Sequence, residues 1–154
     1  LGVPADDAVR AISAYKAPAM RQQVVEANGL LIIDDSYNAS PDSMRSAIDV
    51  LQSRKVTGRR AAVLADMLEL GDFSQQGHHQ VGEYAREKGV DLLVGIGPLS
   101  KEIVAGYGEG GVWFETNQQA IAYLKETLQE GDAVLVKGSR GMQTDQIGAA
   151  LKER

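Results

Sequence analysis

A doubly wound α/β sheet, mostly parallel with one antiparallel edge strand, is the fold this sequence predicts. Three observations predict it. From residue 30 onward, short continuous apolar runs alternate with amphipathic segments, as in strands covered on both faces and joined by crossover helices. The amphipathic segments keep a helical period. The pair Asn28-Gly29 separates two strand-like runs, a strong hairpin signal because both turn positions tolerate positive φ.

Residues 4–15 read as a short helix, with Pro4 in its first turn and Ala5, Ala8, Val9 and Ile12 on one face. Lys16-Ala17-Pro18-Ala19 breaks it, since proline disfavours helix at the residue before it. Residues 1–20 are therefore expected to be the tail of a preceding domain and a linker, and 21–154 one domain. Leu1 is no initiator Met, which also suggests a portion of a longer protein.

Strands are expected at 22–26, Leu30–Asp34, Arg60–Ala65, Leu92–Ile96, Val112–Phe114 and Ala133–Val136. Helices are expected at 42–53, 75–88, 100–106, 117–129 and 141–152. Their apolar stripes are Met44, Ala47, Ile48 and Leu51, then Val81, Tyr84 and Ala85, then Ala120, Ile121, Leu124 and Leu128. Right-handed crossovers make such a sheet Rossmann-like.

Composition narrows the function classes. At 154 residues the chain suits one domain with a full core. A net charge of -5 and 5% aromatic residues argue against duplex or single-stranded nucleic acid as partner. There is no cysteine, which removes disulfides and thiolate metal sites and suits a cytoplasmic protein. No apolar run nears the roughly 20 residues that span a bilayer, and the N-terminus has no signal-peptide pattern. No membrane insertion is expected, and a monomer is.

In open α/β sheets, ligands bind outside the carboxyl ends of the strands. That rule selects Asp34–Asp42, Asp66–Ser74, Gly95–Ser100 and Lys137–Gly141. In the first segment, Asp34 and Asp35 end a strand and Ser40 can cap the next helix, with Pro41 at its first position. Paired acids there could grip a ribose diol or hold a divalent metal through water; a polar strand end with a helix cap would look the same. After the last strand, Lys137, Ser139 and Arg140 offer donors suited to a carboxylate. Adjacent His78 and His79 do not face one another on a helix and lack partners at metal spacing, so zinc is rejected. Gly95, Gly97 and Gly138 do not make a GxGxxG fingerprint, so a dinucleotide reading fails, and no GxxxxGK[ST] P-loop occurs.

Three ordered blocks carry a resemblance. DDSYNASPDSM (34–44) is similar to the DDSYNANPDSM signature of Mur ligases that add D-alanyl-D-alanine to UDP-MurNAc-tripeptide, the MurF subfamily. VLADMLELG (63–71), followed by Ser74 and His78, resembles its VLGDMLELG block, and VLVKGSRGM (134–142) its VLVKGSRGM block. Met20-Arg21 resembles the opening of that subfamily's C-terminal domain. Ser40 stands where Asn is usual, and Ala65 where Gly is. Serine caps a helix as well as Asn does.

The resemblance implies an ATP-dependent amide ligase of peptidoglycan synthesis, seen here in its C-terminal domain. It implies that Asp35 accepts hydrogen bonds from the ATP ribose, that Tyr37 and Asn38 border adenine and ribose, and that Arg21 lies against the nucleotide. Lys137, Ser139 and Arg140 would hold the carboxylate of D-alanyl-D-alanine. His78 would wall the dipeptide pocket or be a satisfied structural histidine. No catalytic residue is expected in this chain. The cradle for the β/γ-phosphates and Mg²⁺ would lie mainly in the family's central domain, and the UDP-MurNAc-tripeptide site in domains outside this chain. A ligase of the same family with another amino acid is the neighbouring alternative, and Gly95-Ile96-Gly97-Pro98-Leu99 disfavours the diamino-acid subclass. The alternative of another class is a free-standing, flavodoxin-like binding module.

Overall fold

A computed structural model describes residues 22–36 and 39–153. The expected helix at 4–15, the linker, Met20-Arg21, Tyr37 and Asn38 lie outside the described residues.

The hairpin forms as expected. Strands β1 (Gln23–Ala27) and β2 (Leu30–Asp35) pair antiparallel, with Ala27 opposite Leu30. Asn28 and Gly29 take φ of 57° and 81°, the left-handed pair of a type I′ turn. The Asn28 amide also donates to the carbonyls of Leu151 and Lys152, at 3.1 and 2.8 Å, closing the end of the last helix.

From β2 the chain alternates: α1 (Pro41–Ser53), β3 (Arg60–Ala65), α2 (Ser74–Lys88), β4 (Leu92–Ile96), α3 (Lys101–Tyr107), β5 (Val112–Phe114), α4 (Asn117–Thr127), β6 (Ala133–Lys137) and α5 (Asp145–Glu153). The sheet order is β1-β2-β6-β3-β4-β5, and every pair except β1·β2 is parallel. Strands β3, β4 and β6 are buried almost throughout, which is why their sequences show no polar alternation.

Two cores flank the sheet. Ile33, Leu64, Leu93 and Leu135 pack with Met44, Ile48, Leu51, Val81, Ala85 and Ile103 on the α1–α2–α3 face. Ile32, Val63, Val94 and Val136 pack with Ala120, Leu124, Ile147 and Leu151 on the α4–α5 face. The chain steps outward from β2 to β5 and then returns across the other face to insert β6 between β2 and β3. The carboxyl ends of β2, β6 and β3 therefore stand side by side.

Two local expectations are corrected. The last helix begins at Asp145, not 141. Residues Arg140–Met142 form a 3-10 turn, and Gln143 takes φ 57°, which breaks the helical path ahead of Thr144. On α2, the inner face is built from Gly77, His78, Val81, Gly82 and Ala85, whereas Tyr84 is only partly buried. The small residues are needed because α3 lies directly on them. A Cβ at Gly82 would stand 1.9 Å from the Ile103 carbonyl oxygen, and one at Gly106 would stand 2.1 Å from that of His79.

Candidate functional site: the carboxyl edge of β2, β6 and β3

The two aspartates at the end of β2 point to opposite faces, as alternation in a strand demands. They therefore do not act as a pair. Asp34 shares the face of Ile32 and is buried, its Oδ2 packed so closely on Gly148 that a Cβ there would stand 2.5 Å away. Burial pushes the Asp34 carboxyl above its ordinary pKa, partly offset by the neighbouring Ser36 hydroxyl and the Lys152 charge. With the folded value raised, the protonated form favours the fold. That contribution is present at low pH and lost as pH rises through the raised value.

Asp35 shares the face of Ile33 and lies beside Lys137, its register partner on β6. The Lys137 Nζ stands 2.9 Å from Asp35 Oδ2, with the two side chains 3% and 14% exposed. An ionised carboxylate offers about four lone-pair sites over its two oxygens, so Asp35 keeps accepting capacity at the mouth of the edge. The adjoining α1 starts from a capping box: the Ser43 N–H donates to Ser40 Oγ at 3.1 Å, and the Ser40 N–H to Ser43 Oγ at 2.8 Å. Serine thus fills the position where Asn is usual without loss to the helix start.

The structure separates the three residues expected to form one carboxylate grip. Lys137 turns back onto Asp35 and is buried. Ser139 is also buried; its Oγ accepts the Leu68 N–H at 2.8 Å, and its own N–H donates to the Asp66 carbonyl at 3.1 Å. Arg140 is exposed, at the start of the 3-10 turn, above a depression lined with Gln143, Asp145 and Gln146. Asn117 steadies that turn by donating to the Met142 carbonyl at 2.9 Å. Sequence reasoning passed over Asn117, since a helix-start asparagine ordinarily caps its own helix.

His78 is fully buried rather than lining an opening. Its Nδ1 stands 2.7 Å from the Ser74 carbonyl, which can only accept, so Nδ1 carries the proton. Nε2 accepts the Met67 N–H at 2.9 Å. Of the two readings the sequence left open, this geometry is that of a satisfied structural histidine. Leu68 and Glu69 are exposed in the same block, and Leu68 Cδ1 lies 3.1 Å from where a Cβ on Gly141 would be. Asp66 accepts the Ser100 N–H at 2.8 Å and so ties the third loop of the edge to the second.

Two non-glycine residues here hold positive φ, Glu69 at 70° and Gln143 at 57°. Such backbone strain, costing about 1–3 kcal/mol each, clusters where loops serve a ligand. A separate depression at the opposite edge, lined by Glu26, Asn28, Lys55 and Thr57, contains none of the segments that the strand-end rule selects. Among the described residues no group of three or more His, Asp or Glu side chains could hold a metal.

Residues 20–140 match the family described as Mur ligase, glutamate ligase domain. The chain belongs to the Mur ligase family. It is 34% identical over 158 residues to the UDP-N-acetylmuramoyl-tripeptide--D-alanyl-D-alanine ligase of Bacillus subtilis, covering 99% of this chain and 35% of that protein. A crystal structure of MurF from Acinetobacter baumannii superposes with a TM-score of 0.86 at 30% identity, over 99% of this chain and 35% of that one. MurF ligase from Thermotoga maritima, solved in complex with ADP, gives 0.78 at 25% identity, over 95% of this chain and 35% of that one. The chain thus spans about a third of the length of these relatives. No helix among the described residues is long and apolar enough to cross a membrane.

Proposed function

We propose that this chain is the C-terminal domain, residues 21–154, of a bacterial cytoplasmic ligase that joins D-alanyl-D-alanine to UDP-MurNAc-tripeptide. Residues 1–20 then belong to the linker and the domain before it. The observation that carries the reading is the Asp35–Lys137 ion pair at the adjoining ends of β2 and β6, with the turn that carries Arg140 leaving from the same end of β6. The relatives' names supply the ligands: D-alanyl-D-alanine for the Bacillus subtilis enzyme and ADP for the Thermotoga maritima structure.

The reaction is an ATP-driven amide synthesis. A tripeptide carboxylate takes the γ-phosphoryl group, releasing ADP; the dipeptide amine then attacks the acyl phosphate, forming the amide and releasing phosphate. In this division of labour Asp35 accepts the ribose hydroxyls of ATP, with Tyr37, Asn38 and Arg21 around the nucleotide. Arg140 draws the dipeptide carboxylate, Ser139 fixes the turn that presents Arg140, and Leu68 offers an apolar wall to alanyl methyl groups. Lys137 acts by orienting Asp35. The domain works as a monomer and supplies positioning, which can lower a barrier by up to roughly 7–11 kcal/mol. As part of peptidoglycan synthesis, the ligase would serve cell shape and division.

Two measurements test this. Phosphate release from ATP should require a full-length ligase carrying this domain, with UDP-MurNAc-tripeptide and D-alanyl-D-alanine both present. The 154-residue chain by itself, which contains no P-loop sequence, should give none; turnover by the isolated chain would overturn the proposed division of labour. Arg140→Ala should raise the dipeptide KM roughly tenfold, as loss of a charge-assisted hydrogen bond does, and leave the ATP KM nearly unchanged. A dipeptide amide should be indifferent to the same substitution. Equal discrimination between acid and amide by wild type and variant would place the carboxylate elsewhere.

A further inference from the structure

His78 is fully buried, yet its hydrogen bonds lead through the 67–68 backbone to Ser139, the residue before Arg140. Its imidazole is held in one tautomer by the Ser74 carbonyl, leaving Nε2 as the acceptor for the Met67 N–H at 2.9 Å. The next N–H in the chain, that of Leu68, donates to Ser139 Oγ at 2.8 Å. Ser139 donates its own N–H to the Asp66 carbonyl at 3.1 Å, closing a ring between the loop after β3 and the loop after β6. His78 and Ser139 thus hold two consecutive amides of one loop from opposite sides.

The Met67 side chain is buried in the core and the Asp66 carboxylate holds the Ser100 N–H, so the two amide anchors set the backbone between these points and Glu69. Glu69, just beyond the loop, sits at φ 70°, a conformation that surrounding contacts must hold. A buried N–H that loses its acceptor pulls the backbone toward another partner. Movement at Met67 and Leu68 would pass to Ser139 and then to the turn that begins with Arg140.

We infer that His78 is a positioning residue for the dipeptide site: as a neutral acceptor it locks the 66–68 loop, which through Ser139 sets the placement of Arg140. This rests on the reading that Arg140 receives the dipeptide carboxylate. His78→Gln places an amide oxygen near the position of Nε2 and keeps the acceptor for Met67. His78→Asn keeps a donor for Ser74 but no longer reaches Met67. His78→Leu keeps neither.

In a full-length ligase carrying this domain, His78→Leu and His78→Asn should raise the dipeptide KM roughly tenfold while the ATP KM stays within about twofold. His78→Gln should restore the wild-type dipeptide KM. In the 154-residue chain, amide hydrogen exchange at Leu68 should quicken in His78→Leu and His78→Asn and return to normal in His78→Gln. If His78→Leu does not fold, His78→Asn carries the comparison. The inference is overturned if both KM values rise together, if Gln fails to rescue, or if Leu68 exchange is unchanged. Arg140→Ala separates the two readings. Normal dipeptide KM in that variant, with Leu68 exchange still governed by residue 78, removes the Arg140 contact and the proposed role in binding. Raised KM in Arg140→Ala with normal KM in His78→Asn removes the positioning role alone.

Discussion

Asp35→Ala is expected to lower the stability of this domain by about 3–5 kcal/mol, the range for removing one partner of a buried ion pair. The cost comes from Lys137 rather than from Asp35. The lysine is 3% exposed, with its ammonium 2.9 Å from the Asp35 carboxylate. Without that carboxylate, its charge remains in a place from which water is largely excluded. Urea unfolding should show a lower midpoint at unchanged m-value. Asp35→Asn, which keeps an acceptor, should lose less. The double variant Asp35→Ala/Lys137→Met should recover most of the loss, since replacing a buried pair with apolar side chains is often neutral. A double variant as unstable as the sum of the two single ones would mean that the pair is not energetically coupled.

The same pair separates stability from binding. If Asp35 holds the ribose diol as proposed, Asp35→Asn in a full-length ligase should raise the ATP KM roughly tenfold, since a charged acceptor contributes about 1.5–3 kcal/mol. The dipeptide KM should barely move. Lys137→Ala should act on the ATP KM as well, because the lysine orients Asp35. That expectation differs from a direct grip on the dipeptide by Lys137, under which only the dipeptide KM would change.

Most of the architecture was legible because β2, β3, β4 and β6 are short apolar runs with both faces covered. Asn28-Gly29 marked the hairpin, Ser40-Pro41 marked the start of α1, and the 3.6-residue stripe Met44, Ala47, Ile48 and Leu51 is buried as a unit. The strand-end rule also selected the segments that hold the candidate site. The partners within it were not legible. Sequence order puts Lys137, Ser139 and Arg140 within four positions, so they looked like one grip. Register set Lys137 opposite Asp35, a contact between strands 102 positions apart that no local pattern encodes. The tautomer of His78 depends on a carbonyl one helical turn away and an amide eleven positions back. The break at Gln143 came from a left-handed residue that is not glycine, so the usual helix-start signals placed α5 four residues early.

Gly82→Ala should destabilise the domain by about 3 kcal/mol, at the upper end for overpacking, although helix propensity alone predicts the opposite sign. In an exposed helix interior, alanine is favoured over glycine by about 1 kcal/mol. Here the added Cβ would stand 1.9 Å from the Ile103 carbonyl oxygen and 2.8 Å from the Tyr107 nitrogen, both backbone atoms. A side chain can rotate away from such a contact, but helix α3 can only move as a body. Gly106→Ala, which meets the His79 carbonyl at 2.1 Å from the other side, should behave alike. Gly77 on the same helix is the control. Its added Cβ would meet only the Phe73 ring and the Leu70 side chain, at 3.0–3.2 Å. Phe73 is exposed and can yield, so Gly77→Ala should be near neutral or mildly stabilising. Denaturation midpoints of the three variants decide the matter, and equal midpoints for Gly77→Ala and Gly82→Ala would show that α2 and α3 are not packed backbone to backbone. The contact bears on function because α2 carries His78 just one turn before Gly82. Separating α2 from α3 would shift the imidazole that holds Met67, so Gly82→Ala should also raise the dipeptide KM of a full-length ligase more than its ATP KM.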